Sequence, residues 1–141
     1  MWNFYNLITT YLLNENEILD DYIISACEPL HIFISKNPET FKTATINGSQ
    51  TCMDVMFSLI GKLFQQFDGM ETDEVDETCG VKLITTIIEN VGGIEAQLPN
   101  ILQYLVNQLT KSKSPDYKRS ILTALCTSFN FQYAYTVQSL Q

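Results

Sequence analysis

Residues 94–129, IEAQLPNILQYLVNQLTKSKSPDYKRSILTALCTSF, decide the fold. Ile94, Leu98, Ile101, Leu102, Leu105 and Leu109 form one apolar series, and Ile121, Leu122, Leu125, Cys126 and Phe129 form a second. Intervals of three and four residues place such side chains on one face of a helix. Between the two series stands Ser114-Pro115. The serine hydroxyl can accept a backbone N–H at a helix cap, and a proline at the first helical position gives up an N–H that has no partner there anyway. The break at 110–114 is short, so the two helices must fold back antiparallel.

The same period runs outward through the chain. Phe4, Tyr5, Ile8, Tyr11 and Leu12 make a first stripe, and Ile23, Cys27, Leu30, His31 and Ile34 a second, closed by Asn37-Pro38. Met53, Met56, Phe57, Ile60, Leu63, Phe64 and Phe67 form a third, ended by Asp68-Gly69. Gly80, Leu83, Ile84, Ile87, Ile88 and Val91 form a fourth, stopped by Gly92-Gly93. A short seventh helix is expected over about 132–140. Thr72, Asp73, Glu74, Asp76 and Glu77 crowd the start of the fourth helix, where the positive end of the helix dipole favours carboxylates. Strand signals are nearly absent, since Asn47-Gly48 sits between polar residues, and residues 36–50 read as the one long connection.

Composition bounds what such a chain does. With 141 residues the chain is one domain in length and needs no metal or disulfide to bury a core. A hydrophobic content of 45% excludes disorder. The net charge of −8 argues against nucleic acid and anionic membranes as partners. No apolar run approaches the length of a membrane span, and no signal peptide is visible, which points to a reduced, intracellular protein. Cys27, Cys52, Cys79 and Cys126 lack zinc-ligand spacing and read as small buried hydrophobes. His31, the single histidine, reads as a core residue with one satisfied ring nitrogen, because no motif places a nucleophile or carboxylate with it. No catalytic residue, cofactor or metal is expected.

The helices fall into pairs whose first members begin near residues 1, 49, 94 and 131, steps of roughly 48, 45 and 37 that bracket the period of HEAT and armadillo repeats. Val75, Cys79 and Val81 widen the fourth stripe, and Tyr104 and Val106 widen the fifth. Such widening suits helices packed on both sides. The expected fold is therefore all-α: antiparallel helix pairs stacked as HEAT-like repeats over residues 1–141, a single α-solenoid segment of about three and a half hairpins. The chain begins and stops within apolar helices, which reads as a fragment of a longer array. The alternatives are a HEAT or armadillo scaffold of another assembly and a compact helical bundle binding an apolar ligand.

Two clusters are candidate protein-binding residues. Glu71, Asp73, Glu74, Asp76 and Glu77 lack the spacing of a calcium loop and read first as a solvated loop feeding a helix, second as a contact for basic cargo. Phe129, Phe131, Tyr133 and Tyr135 suit packing against a further repeat, or else an apolar slot for a Phe-Gly peptide. Lys111, Lys113, Lys118 and Arg119 gather half of the basic residues, for which a structural role near helix ends suffices.

Particular residues also carry a resemblance. Met1-Trp2, Asp21-Tyr22 and Pro29-Leu30-His31, then a Met- and Phe-rich helix at 51–67, an acidic opening at 71–77, Ile94 with Leu98-Pro99, and the helix start at 114–119 resemble the C-terminal half of the importin-β (karyopherin-β) superfamily, in particular its importin seven and eight group. The 36–50 connection departs from that pattern. The resemblance implies a non-enzymatic segment of a nuclear transport receptor in cytoplasm, nucleus and nuclear pore. It implies cargo proteins and Phe-Gly nucleoporins as partners, with Ran GTPase bound through other parts of the full-length chain.

Overall fold

The computed structural model describes residues 2–14, 19–46, 48–64 and 74–139. They form α1 (Trp2–Asn14), α2 (Leu19–Lys36), α3 (Pro38–Thr43), β1 (Thr45–Ile46), β2 (Gln50–Thr51), α4 (Cys52–Phe64), α5 (Glu74–Asn90), α6 (Leu98–Lys111), α7 (Pro115–Phe131) and α8 (Tyr133–Ser139). Among the described residues the protein is all-α apart from this two-stranded ribbon. Asp68-Gly69, expected to end a helix, lies outside the described residues.

Helix α5 is the centre of the packing. It lies against α2 on one side and α7 on the other, with α4 on a third. Its side chains Cys79, Val81, Leu83, Ile84, Ile87, Ile88 and Val91 are consequently buried around most of its circumference, as the wide apolar stripe required. Helix α1 packs on α4, and α6 packs on α7 and α8. Phe64 of α4 stacks on Tyr104 of α6 with ring centroids 4.4 Å apart. The absence of a side chain at Gly80 admits the Phe64 ring, because a Cβ there would stand 2.9 Å from it.

Junctions are fixed by local chemistry. Ser114 caps α7 by accepting from the Tyr117 N–H, with Pro115 in the first turn as expected. Thr51 caps α4: its hydroxyl accepts from the Asp54 N–H at 3.1 Å, while the Asp54 carboxylate accepts from the Thr51 N–H at 3.0 Å, the reciprocal capping box. The Thr51 hydroxyl also donates to Asp54 Oδ2 at 2.7 Å, and this bond first, with the Thr51 N–H bond second, holds the Asp54 carboxyl below its ordinary range. Lys62 of α4 donates to the Leu12 and Leu13 carbonyls at 3.0 and 2.9 Å, placing a cation at the carbonyl end of α1. Gly93 turns the chain at φ 76°, and Lys42 donates to the neighbouring Gly92 carbonyl at 2.8 Å.

Two expectations change. The 36–50 connection is folded: Pro38 opens α3, and Thr45 and Ile46 pair antiparallel with Thr51 and Gln50. Gly48, at φ 77°, supplies the left-handed turn. Strands two residues long cannot show an alternating pattern, so only the glycine signals them. The second change concerns α7. Its buried residues are Tyr117, Ile121, Ala124, Thr127 and Ser128, while Leu122 and Phe129 are exposed at 49% and 41% and Cys126 is exposed too. Small side chains face the crowded side of α7, and several of the large apolar ones face solvent.

Candidate binding surfaces

Three surfaces carry the groups singled out by the sequence or by the packing. The first is aromatic. Phe131 and Tyr133 flank Gln132, where α7 ends and α8 begins, and are 58% and 68% exposed; Tyr135 follows at 43%. Ser128 and Thr136, both fully buried, bond to each other at 2.5 Å, and the Thr136 hydroxyl also lies 3.1 Å from the Ser128 carbonyl. This clasp folds α8 back onto α6 and α7. Leu122 and Phe129 of α7 are exposed as well. The α1–α2 pair has a counterpart: Phe4, Leu7, Tyr11 and Tyr22 are each more than 40% exposed, and Tyr11 and Tyr22 meet edge to face at 6.1 Å.

The acidic run behaves differently from a solvated loop where it can be followed. Glu71 and Asp73 lie outside the described residues; Glu74 and Asp76 fall in the first turn of α5, their side chains likewise outside the description. Glu77 is buried, at 5% exposure, close enough to Tyr104 of α6 and Tyr117 of α7 for its charge to act on both phenols. Burial raises the Tyr117 phenol, with the Tyr104 and Glu77 charges adding to it; burial and then Glu77 push Tyr104 up to about 12. Glu77 therefore belongs to an interior polar junction of α5, α6 and α7, and is removed from any surface for basic cargo. Nothing in the sequence marks this, since Glu77 reads as the last of a charge run.

The third surface is a groove of about 330 Å³ across α2, α5 and α7. His31 stands on α2, Lys82, Thr85 and Thr86 on α5, and Arg119, Ser120 and Thr123 on α7. His31 Nδ1 is hydrogen-bonded to the Thr86 hydroxyl. That hydroxyl also lies 3.2 Å from the Lys82 carbonyl, to which it can donate, and which partner donates in the pair with His31 follows the tautomer of the ring. Burial lowers the His31 pKa, with the Glu28, Lys82 and Glu89 charges acting in smaller and opposing ways. The expected satisfied nitrogen is present, but the ring is half-buried at the groove wall. Helix periodicity cannot reveal that groove, because its lining comes from three helices.

A folded pKa below the unfolded value of 6.5 means that the fold favours neutral His31. That stability is fully present above about pH 6.5 and is lost as pH falls through the lowered pKa. Between about pH 7.5 and pH 5 the wild-type melting temperature should therefore fall further than that of His31→Gln, which titrates nothing at this position. Parallel pH profiles for the two proteins, measured by circular dichroism, would refute this role.

Among the described residues there is no group of three or more His, Cys, Asp or Glu side chains able to hold a metal ion. No described helix is long and apolar enough to cross a membrane. Fold and surfaces together define an all-α protein that exposes large apolar and aromatic side chains on α1, α2, α7 and α8. No family model, curated protein or solved structure matches the chain.

Proposed function

We propose that the chain is a HEAT-like α-solenoid segment that works by non-covalent protein binding, as part of an importin-β-type nuclear transport receptor. The observation carrying the solenoid reading is the order of packing. The second helices of successive hairpins, α2, α5 and α7, lie side by side in a row, while α1 packs on α4. Stacked hairpins are related in this way, with contacts mainly between neighbours. The exposed aromatic groups of α1–α2 and of α7–α8 fit the same reading, as faces that a further hairpin or a partner would cover.

The transport reading rests on the resemblance at Met1-Trp2, Asp21-Tyr22, Pro29-Leu30-His31 and the later segments. In it, Phe129, Phe131 and Tyr133 supply the apolar slot for Phe-Gly repeats, while cargo and Ran GTPase engage the full-length receptor. The acidic cargo contact is reduced to Glu71, Asp73, Glu74 and Asp76, since Glu77 is interior. A row of hairpins held by neighbour contacts also allows small changes of curvature as partners bind and leave.

Immobilised Phe-Gly repeat peptide should retain the chain. The triple substitution Phe129→Ser, Phe131→Ser, Tyr133→Ser should abolish retention with little loss of stability, because all three side chains are substantially exposed. Retention unchanged by the triple variant, or absent in the wild type, overturns the transport reading and favours a scaffold of another assembly.

A further inference from the structure

We propose that Ser114 is a phosphorylation site for a proline-directed serine kinase, and that the added phosphate reinforces the start of α7. The inference stands independently of the transport reading. The four prolines of the chain are preceded by Glu28, Asn37, Leu98 and Ser114, so Ser114-Pro115 is the one place where a hydroxyl side chain stands before a proline. A kinase whose pocket for the following residue is apolar selects such a pair, because proline brings no N–H that would be buried without an acceptor.

The local structure suits that enzyme. Ser112 and Ser114, between α6 and α7, have φ, ψ of −62°, 145° and −72°, 124°, the extended form in which a peptide lies along a binding cleft. Lys113, Pro115 and Asp116 are exposed, and Ser114 is half-buried. The bond that Ser114 Oγ accepts from the Tyr117 N–H is 3.4 Å long, beyond the usual range, so the hydroxyl can turn outward at little cost. Seating Asp116 as well opens the first turn of α7, where the further loss is the Lys118 N–H bond to the Ser114 carbonyl at 3.1 Å. In the transfer, Ser114 Oγ attacks the γ-phosphorus of magnesium ATP and the bond from that phosphorus to ADP breaks. The hydroxyl proton passes to the catalytic aspartate of the kinase.

Charge accommodates the product. A phosphoserine carries about −1.5 to −2 at pH 7, a load that most of a chain of net charge −8 would resist. Around Ser114, however, Lys111, Lys113, Lys118 and Arg119 stand against a single acid, Asp116. Asp116 accepts from Arg119 Nη1 at 3.3 Å, which offsets the one repulsive neighbour. Lys118 follows Ser114 by four residues, the spacing and order in which an anion and a cation support a helix. The dipole of α7 acts in the same direction.

The test treats the intact chain with a purified proline-directed kinase and magnesium ATP, and maps the product by mass spectrometry. One phosphoryl group should be found, on Ser114, and Ser114→Ala should take up none there. Pro115→Ala keeps the serine and a good helix former in the first turn, and should be phosphorylated about tenfold more slowly or worse. The phosphorylated chain should melt about 2–4 °C higher at low salt, and Lys118→Ala should remove most of that rise. No incorporation, incorporation only at other residues, a wild-type rate for Pro115→Ala, or a melting temperature unchanged or lowered by the phosphate would overturn the proposal.

Discussion

Tyr5→Ala should lower the unfolding free energy by about 3–5 kcal/mol, the usual cost of emptying a large buried aromatic site, and the urea midpoint followed by circular dichroism should fall accordingly. Tyr5 has no exposed surface. Its ring meets Trp2, Phe33 and Phe41 at centroid distances of 5.7, 5.3 and 6.2 Å, and its hydroxyl donates to the Cys52 carbonyl at 2.7 Å. One side chain thereby ties α1 to α2, α3 and α4. Tyr5→Phe should retain the packing and lose only the bond, at about 0.5–1.5 kcal/mol. Burial raises the Tyr5 phenol, with a smaller contribution from Cys52. Its stabilising effect is therefore complete below the ordinary value of 10.0 and is lost as pH climbs beyond it. A Tyr5→Ala loss no larger than that of Tyr5→Phe would show that the ring is not the tie described.

Ile87→Ala should cost about 2–5 kcal/mol, toward the upper part of that range. Ile87 is 1% exposed and sits toward the C-terminal end of α5, a helix that α2, α4 and α7 cover on three sides. A cavity enclosed by three helices cannot be filled by moving one of them, so little of the lost contact is regained. The comparison is Leu122→Ala on α7, a similar truncation at 49% exposure, expected to lie within about 0.5 kcal/mol of wild type. Equal effects at the two sites would contradict the assigned orientation of α7.

Much of this architecture is legible from hydrophobic period and caps. The α5 stripe is wide because the helix is surrounded, and Ser114-Pro115 marks the start of α7 unambiguously. What escapes is whatever depends on side-chain size or on more than one element. Beyond Tyr117 and Ile121, the inward face of α7 is written in alanine, threonine and serine, letters that a search for large apolar residues passes over. The capping box of Thr51 and Asp54 uses aspartate where glutamate is the usual letter. Glu77 looks like part of a solvated run because its covering helices arrive from later in the chain. The groove needs His31, Lys82 and Arg119, residues that only stacking brings together. The aromatic end at Phe129, Phe131 and Tyr133 is the part of the candidate site that local sequence does display, since successive aromatic residues at a helix junction cannot all turn inward.

The inverted face of α7 has a consequence for mutational tolerance. Over residues 122–129 of this helix hydropathy and constraint run largely in opposite directions. Ala124 and Ser128 are fully buried and admit almost no added volume, so substitutions there should be rejected even when chemically mild. Leu122, Cys126 and Phe129, by contrast, should accept polar replacements freely in the isolated chain. A saturation library scored for folding alone would therefore recover residues 122–129 as fixed small residues between variable apolar ones. Scored for partner binding, the same library should restore constraint to whichever of those apolar positions a partner covers.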